Sequence, residues 1–415
     1  MQAPRLVCLI VLPKSPRSDV AFSMTTLQEI QQTAIQPLET AVSLPFAAYT
    51  DPTILAAESE AIFSKEWVFM CMAGELKAAG DYYATSLANE PIIILRDDNK
   101  KLRALSNVCR HRGTTILDAG FGKIDNYIIC PYHAWAYSKE GALEAIPYNK
   151  VIAVDRTEHQ LPNFSVATWN GLVFVNLDPD AKPLTDRLAG IDRYLQLFQS
   201  ETFNQVTQGS VELWQTNWKL AMENAMESYH LFKVHETTLE TYSPTRDAYY
   251  IAGSSEWTLT GGKTKHQQSL VEKMLGRTHH ELFEHYVLVS LPPSFVGILS
   301  YGTFGWLSAH PIDERTTQIR SGSTYSGKPQ RGSKETNDFT RAFFREDKEI
   351  CERVQRGMAS PSMQGGKLVD MERVIVDFHQ FLGTRLGNMS ATNLFEDEAA
   401  LLWKSAKENQ TRARS

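Results

Sequence analysis

Cys109-Arg110-His111-Arg112-Gly113 and Cys130-Pro131-Tyr132-His133-Ala134-Trp135 are the two stretches on which the reading of this chain turns. The first is C-x-H and the second C-x2-H, with eighteen residues between His111 and Cys130. Each supplies one thiolate and one imidazole from a short turn. A zinc finger with two Cys and two His groups like with like, so a mixed pair in each half matches it poorly. Two Cys on one iron and two His on the other is the donor set of a [2Fe–2S] cluster whose neutral imidazoles raise the potential, into roughly −150 to +300 mV. Cys109, His111, Cys130 and His133 are therefore the candidate cluster ligands. Gly113 suits a turn that needs positive φ, and Pro131 stiffens the second turn. Arg110, Arg112, Tyr132 and Trp135 are candidates for tuning the cluster, although most of them read first as surface charge and packing.

Working outward, the flanking sequence from Ile92 to Leu177 has a β texture. Ile92-Ile93-Ile94-Leu95 and Leu172-Val173-Phe174-Val175 are short buried runs, and Asp97-Asp98-Asn99 supplies a turn before Leu102 to Leu105. A helical pattern follows between Trp214 and Leu239, then a strand-rich stretch from Val287 to Tyr325 and a hydrophilic break over 326–333. Helical spacing resumes over Thr340 to Gln355, and a charged helix is expected near Glu396 to Lys407. The fold class is α+β: a small β module and then a larger α+β module. The expected division is 1–60 as an N-terminal extension and helix, 61–178 as the cluster domain, 179–390 as the catalytic domain and 391–415 as a C-terminal helix or tail.

The composition agrees with a globular chain of this kind. It has 415 residues, 42% hydrophobic and 22% charged, with a formal net charge of −6. That mild acidity argues against nucleic acid or anionic membrane as the main partner. Five cysteines are too few and too odd in number for a disulfide scaffold, so a reducing, cytoplasmic compartment is expected. Leu6 to Leu12 is an apolar run too short to span a bilayer and only the bare minimum for a signal-peptide core, without an A-x-A cleavage site; it is read first as a non-functional extension, with a signal peptide as the alternative. Met24 is the expected native start, with Thr26-Leu27-Gln28-Glu29 as a capping box opening a short helix.

A second constellation lies in Asn217-Trp218-Lys219-Leu220-Ala221-Met222-Glu223-Asn224-Ala225-Met226-Glu227-Ser228-Tyr229-His230. Read as helix, it puts Glu223, Glu227, His230 and Val234 on one face with Leu220. Carboxylates and an imidazole among apolar neighbours need partners, which marks a buried polar site. His235 is five residues beyond His230, about 140° away on a straight helix. Both can face one metal only if the helix ends or distorts near Leu231 to Val234. In Phe343-Phe344-Arg345-Glu346-Asp347-Lys348-Glu349-Ile350-Cys351-Glu352-Arg353-Val354 the apolar stripe is Phe343, Ile350, Cys351 and Val354. Asp347 falls in its middle, Glu346 at its margin, and Glu349 and Glu352 project away.

These motifs together resemble the Rieske non-haem iron oxygenases, the family of aromatic-ring-hydroxylating dioxygenase large subunits. Asn107-Val108-Cys109-Arg110-His111-Arg112-Gly113 with Cys130-Pro131-Tyr132-His133-Ala134-Trp135 is similar to the Rieske motif, and the likeness runs from Ile62-Phe63 and Trp67 to Gly383. E-N-x-x-E-x-Y-H-x4-H is similar to the family's mononuclear iron motif. The resemblance implies a small antiparallel Rieske domain and a catalytic domain with an antiparallel sheet flanked by helices. It implies His230, His235 and Asp347 as ligands of mononuclear Fe(II), with Glu346 the runner-up to Asp347, and open positions for O2. Glu227 matches the bridging carboxylate that links a Rieske His across a subunit interface to an iron-ligating His. Asp is commoner there, and Glu marks a subset that includes carnitine-type oxygenases.

As partners, the resemblance implies an NAD(P)H-dependent reductase, with or without a ferredoxin, and a homotrimer or a larger assembly built from trimers. A separate reductase also follows from the lack of a Gly-rich nucleotide motif in this sequence. The substrate is expected to be a small arene or an N-methylated ammonium compound. Phe295, Tyr301, Phe304 and Trp306 are candidates for its pocket wall or for plain core. Two other classes compete: a Rieske electron carrier without oxygenase activity, and a zinc-stabilised scaffold. His230, His235 and Asp347 argue against the first, and the mixed ligand turns against the second.

Overall fold

The computed structural model describes residues 20–198, 200–264, 284–300, 302–325, 334–387, 393–400 and 403. The apolar run at Leu6 to Leu12, Tyr301, the break at 326–333 and half of the expected C-terminal helix lie outside the described residues. An N-terminal helix α1 (Val20–Ala34) and α2 (Pro52–Glu58) lead into ten strands: β1 (Val68–Met72), β2 (Asp81–Leu87), β3 (Glu90–Arg96), β4 (Leu102–Ser106), β5 (Gly120–Lys123), β6 (Ile128–Ile129), β7 (Ala136–Tyr137), β8 (Leu143–Ala145), β9 (Asn163–Trp169) and β10 (Leu172–Asn176). Seven form an antiparallel sheet in the order β1-β10-β9-β4-β3-β2-β5, and β6-β7-β8 form a small second sheet. Thr26 lies inside α1 instead of capping its start.

The apolar runs are buried on both sides because their two faces serve different cores. In β3, Ile92 and Ile94 join the central core, while Ile93 and Leu95 join a smaller core with Cys109, Cys130, Tyr137 and Trp135. In β10, Val173 and Val175 face the central core, and Leu172 and Phe174 face a third.

After the short helices α3 (Leu184–Arg187) and α4 (Asp192–Leu195), the second module is an eight-stranded sheet. It contains β11 (Gln205–Trp214), β12 (Ala248–Gly253), β13 (Thr258–Lys263), β14 (His285–Leu291), β15 (Phe295–Ser300), β16 (Thr303–Asp313), β17 (Thr316–Tyr325) and β18 (Phe395–Glu396). Its order is β11-β17-β16-β15-β14-β13-β12-β18, with antiparallel pairing between neighbours. Glu396, expected in a helix, is in the edge strand β18, paired with Ala252.

The helices α5 (Trp218–Met226), α6 (Leu231–Val234), α7 (Leu239–Tyr242), α8 (Lys334–Gly357) and α9 (Arg373–Leu386) complete the module. Asn217 caps α5 by accepting from the Lys219 amide, and its own amide donates to Gln355 of α8. Lys219 is fully buried and donates to Glu58 of α2 at 2.6 Å; Trp218 Nε1 donates to the same carboxylate at 2.7 Å. Such a pair contributes little net stability but strongly disfavours any packing that separates the two charges. It fixes α5 to the N-terminal segment. Among the described residues no helix is long and apolar enough to cross a membrane.

Candidate metal centres

The two Cys/His turns have parallel construction. The first follows β4 and is clipped by a Val108–Thr115 bridge; the Cys109 carbonyl accepts from Gly113 N. The second is the tip between β6 and β7, where the Cys130 carbonyl accepts from Ala134 N. Each turn closes on a residue with positive φ, Gly113 at 76° and Ala134 at 56°. The thiols of Cys109 and Cys130 are buried, at 2% and 3% exposure, whereas His111 and His133 are exposed with ring centroids 4.8 Å apart. Burial, with the neighbouring Cys130 thiol, pushes the Cys109 thiol up, although Tyr137 works against this. Two adjacent buried thiolates therefore require a cation, and the donor set fits a [2Fe–2S] cluster with its sulfur side inward.

Tyr137 supports this turn and was missed by sequence reasoning. Tyr137 Oη lies 3.2 Å from Cys109 Sγ and accepts the Arg110 N–H at 3.0 Å, which leaves its hydroxyl proton for the sulfur. Trp135, a candidate for tuning the cluster, stacks on His111 with centroids 4.7 Å apart and planes 5° from parallel. Partial desolvation within the turn, with the His133 and Arg112 charges, holds the His111 imidazole below its ordinary range, favouring its neutral, ligating form.

The second site is built where α5 ends. The expected continuous helix through Glu227 and His230 does not form: α5 stops at Met226, and Glu227 is extended, with φ −117° and ψ 166°. The chain then makes the single turn α6, with His230 before it and His235 after it. Because this helical turn stops at His235, whose φ is −107° and ψ 31°, the two rings flank one short turn with their centroids 5.1 Å apart. Asp347 approaches from α8, its Oδ1 2.9 Å from His235 Nε2 and 3.5 Å from His230 Nε2. One ligating atom from each of His230, His235 and Asp347 fits within 4.8 Å of the others. Asn224 Nδ2 is 3.3 Å from His230 Nε2, at the edge of this group.

The opposite nitrogens of the two rings are already engaged. His230 Nδ1 donates to Glu227 Oε1 at 2.5 Å, and His235 Nδ1 donates to Glu346 Oε2 at 2.7 Å. Both Nε2 atoms are thus left toward Asp347, and carboxylate-backed imidazoles of this kind are typical metal ligands. Glu346 lies on the far side of the His235 ring from Asp347, so these two neighbours do different things. Burial alone would lower His230, but Asp347 and Glu227 together raise it to about 10. Burial likewise opposes ionisation of Asp347, yet the two imidazoles hold its carboxyl below the usual range. The group therefore favours positive charge at its centre, which suits a divalent ion bound by two His and one carboxylate.

Glu223, placed by periodicity beside Glu227, instead accepts from Tyr49 Oη at 2.8 Å and from His379 Nε2 at 3.0 Å, outside the ligand group. Val354 is 39% exposed and leaves the apolar stripe, while Cys351 is buried in it. Phe295, Phe304 and Trp306 are buried against Phe69 and Phe174. The α5 residues pack in a different core, with Tyr286, Leu288, Val296 and Leu307. Strand alternation thus puts the three aromatics on the sheet face opposite α5. Gly297 makes room there, since a Cβ would meet Phe304 at 2.3 Å. They are core, not pocket wall.

Fold and donor sets define a two-centre redox protein, with one iron–sulfur module and one module for a mononuclear metal. A family profile described as Rieske [2Fe-2S] domain matches residues 66–164, and one described as ring hydroxylating alpha subunit (catalytic domain) matches residues 200–388. The chain belongs to the Rieske non-haem iron oxygenases: it is an oxidoreductase with a Rieske cluster domain and a catalytic domain that binds mononuclear iron. It is 34% identical over 199 residues to the glycine betaine monooxygenase oxygenase subunit of Chromohalobacter salexigens, which spans 48% of this chain and 44% of that relative. It is 27% identical over 368 residues to the carnitine monooxygenase oxygenase subunit of Acinetobacter baumannii, 86% of this chain and 96% of that one. A solved quaternary ammonium Rieske monooxygenase superposes with a TM-score of 0.75 at 25% identity, covering 86% of this chain and 98% of that structure.

Asp347→Ala is expected to abolish mononuclear iron binding and leave the visible Rieske spectrum intact. Metal analysis with absorption spectroscopy checks this, and full iron retention would remove Asp347 from the ligand set.

Proposed function

We propose that this chain is the terminal oxygenase component of a Rieske system, and that its substrate is a small quaternary ammonium compound bearing N-methyl groups. One observation carries the oxygenase reading: a trio of two imidazoles and one carboxylate, each imidazole backed by a glutamate, lies in the same chain as the two Cys/His turns. The substrate class is supported by the names of the relatives and by Glu, in place of the commoner Asp, at position 227.

The proposed ligands are Cys109, His111, Cys130 and His133 for the cluster, and His230, His235 and Asp347 for the iron. When bound, the cluster supplies electrons one at a time and the iron activates O2. The electrons come from NAD(P)H through a separate reductase, with or without a ferredoxin. In the net reaction, a substrate C–H bond, O2, two electrons and two protons give C–OH and water. On a carbon attached to the ammonium nitrogen, the new alcohol loses its proton, the C–N bond breaks and a carbonyl compound and an amine leave.

Within this reaction Glu227 has two positions to fill. Its Oε1 holds His230 through Nδ1, and its Oε2 accepts the Tyr229 and His230 amides, so the carboxylate is held at one edge of the site. In a homotrimer or a trimer-based assembly, an exposed Rieske imidazole of a neighbouring copy donates to the same carboxylate and completes the bridge. Exposed His111 and His133 on one module, and half-exposed Tyr229 and Phe232 beside Glu227 on the other, provide the facing surfaces.

Glu227→Ala is expected to leave both metal centres loaded while product formation falls by about 10–100-fold or more. Turnover at the parent rate would rule out the bridge. With a surrogate reductase, O2 uptake should rise with carnitine- and betaine-like compounds and be matched by amine release. Arenes should leave it unchanged; arene hydroxylation without any response to the ammonium compounds would contradict the substrate class.

A further inference from the structure

We propose that Glu346 is a positioning residue of the iron site, acting through His235; this rests on the reading of His230, His235 and Asp347 as iron ligands. The two nitrogens of the His235 ring are gripped by consecutive residues of α8. Asp347 Oδ1 lies 2.9 Å from Nε2, and Glu346 Oε2 lies 2.7 Å from Nδ1. Neighbours on a helix point about 100° apart, so a ring inserted between their side chains meets one carboxylate at each end. The ring is fully buried, and Glu346 is itself held by the Thr238 hydroxyl, which donates to Oε2 at 2.6 Å.

This clamp has two chemical consequences. Glu346 accepts the Nδ1 proton, which fixes the tautomer in which the Nε2 lone pair is free for a metal. Its negative charge also strengthens His235 as a donor, as carboxylates behind metal-bound histidines do. The clamp differs from the Glu227–His230 pair in its setting. Glu227 sits at the end of α5 with exposed Tyr229 and Phe232 beside it, whereas Glu346 and Thr238 close on His235 within one chain. Glu346 is therefore the fixed support of the iron site, and Glu227 the one proposed to serve a neighbour as well. Thr238 belongs to the same support.

The test uses the purified full-length chain with its Rieske cluster assembled. Ferrous iron binding is measured by titration, and the nitric oxide complex of the ferrous site by EPR. Glu346→Ala should weaken Fe(II) binding by about 10–100-fold and change the shape of the nitrosyl signal, with the reduced Rieske signal unaltered. Glu346→Gln keeps an acceptor oxygen without the charge and should restore part of the affinity. Thr238→Val should cause a smaller loss of the same kind. Glu349→Ala, on the exposed side of α8, should change neither readout. If Glu346→Ala does not fold, Glu346→Gln decides. Parent affinity and a parent nitrosyl signal in the folded Glu346 variant would overturn the proposal. Retention of iron by Asp347→Ala would instead overturn the ligand reading beneath it, so the two failures are distinct.

Discussion

Two imidazoles meet three carboxylates where α5 gives way to α6, and the design of the second module depends on that meeting. Asp347 faces both Nε2 atoms, while Glu227 and Glu346 each take an Nδ1. Three anions in a mostly buried space are costly without a compensating cation. Against the opposing effect of burial, Asp347 and Glu227 raise the His230 imidazole to about 10, so the space favours positive charge. A divalent ion supplies it, attracting Asp347 directly and leaving both Nδ1 protons where the glutamates accept them. The anchors of α5 follow from the same need: Asn217 against Gln355 and Lys219 against Glu58 fix the helix whose last turn must meet α8.

The first module solves the opposite problem. Its thiols lie inside a small apolar core and its imidazoles outside, so the cluster they fit has a buried sulfur side and an exposed nitrogen side. Electron exchange is easiest through the exposed side, and Trp135 stacked on His111 limits how that ring can turn. The core shared by Phe69, Phe295 and Trp306 joins this module to the back of the eight-stranded sheet, while α5, which leads to His230 and His235, packs on its front. Thus the sheet separates the aromatic packing that joins the modules from the face that carries the chemistry.

Much of this was legible in the residues. The mixed C-x-H and C-x2-H turns specify a cluster by donor type alone, and Asp347 stands out as an acid centred on an apolar stripe. Periodicity fails where the backbone stops being periodic. Glu227 is extended, so 100° steps put it with Glu223, although Glu223 is drawn to Tyr49 and His379 by tertiary contact. Glu346 reads as marginal because a helical wheel cannot show that a ring from another segment enters between residues 346 and 347. Phe295, Phe304 and Trp306 lie in strands whose two faces are both apolar, and alternation alone does not say which face meets α5.

The central claim is that one chain carries both centres, and metal counting on the purified full-length protein tests it most directly. The account predicts about three iron atoms and two acid-labile sulfides per chain, with a Rieske EPR signal on reduction. About two irons with the same signal and none at the second site, even after anaerobic Fe(II) addition, would contradict it, as would a colourless protein loaded with zinc.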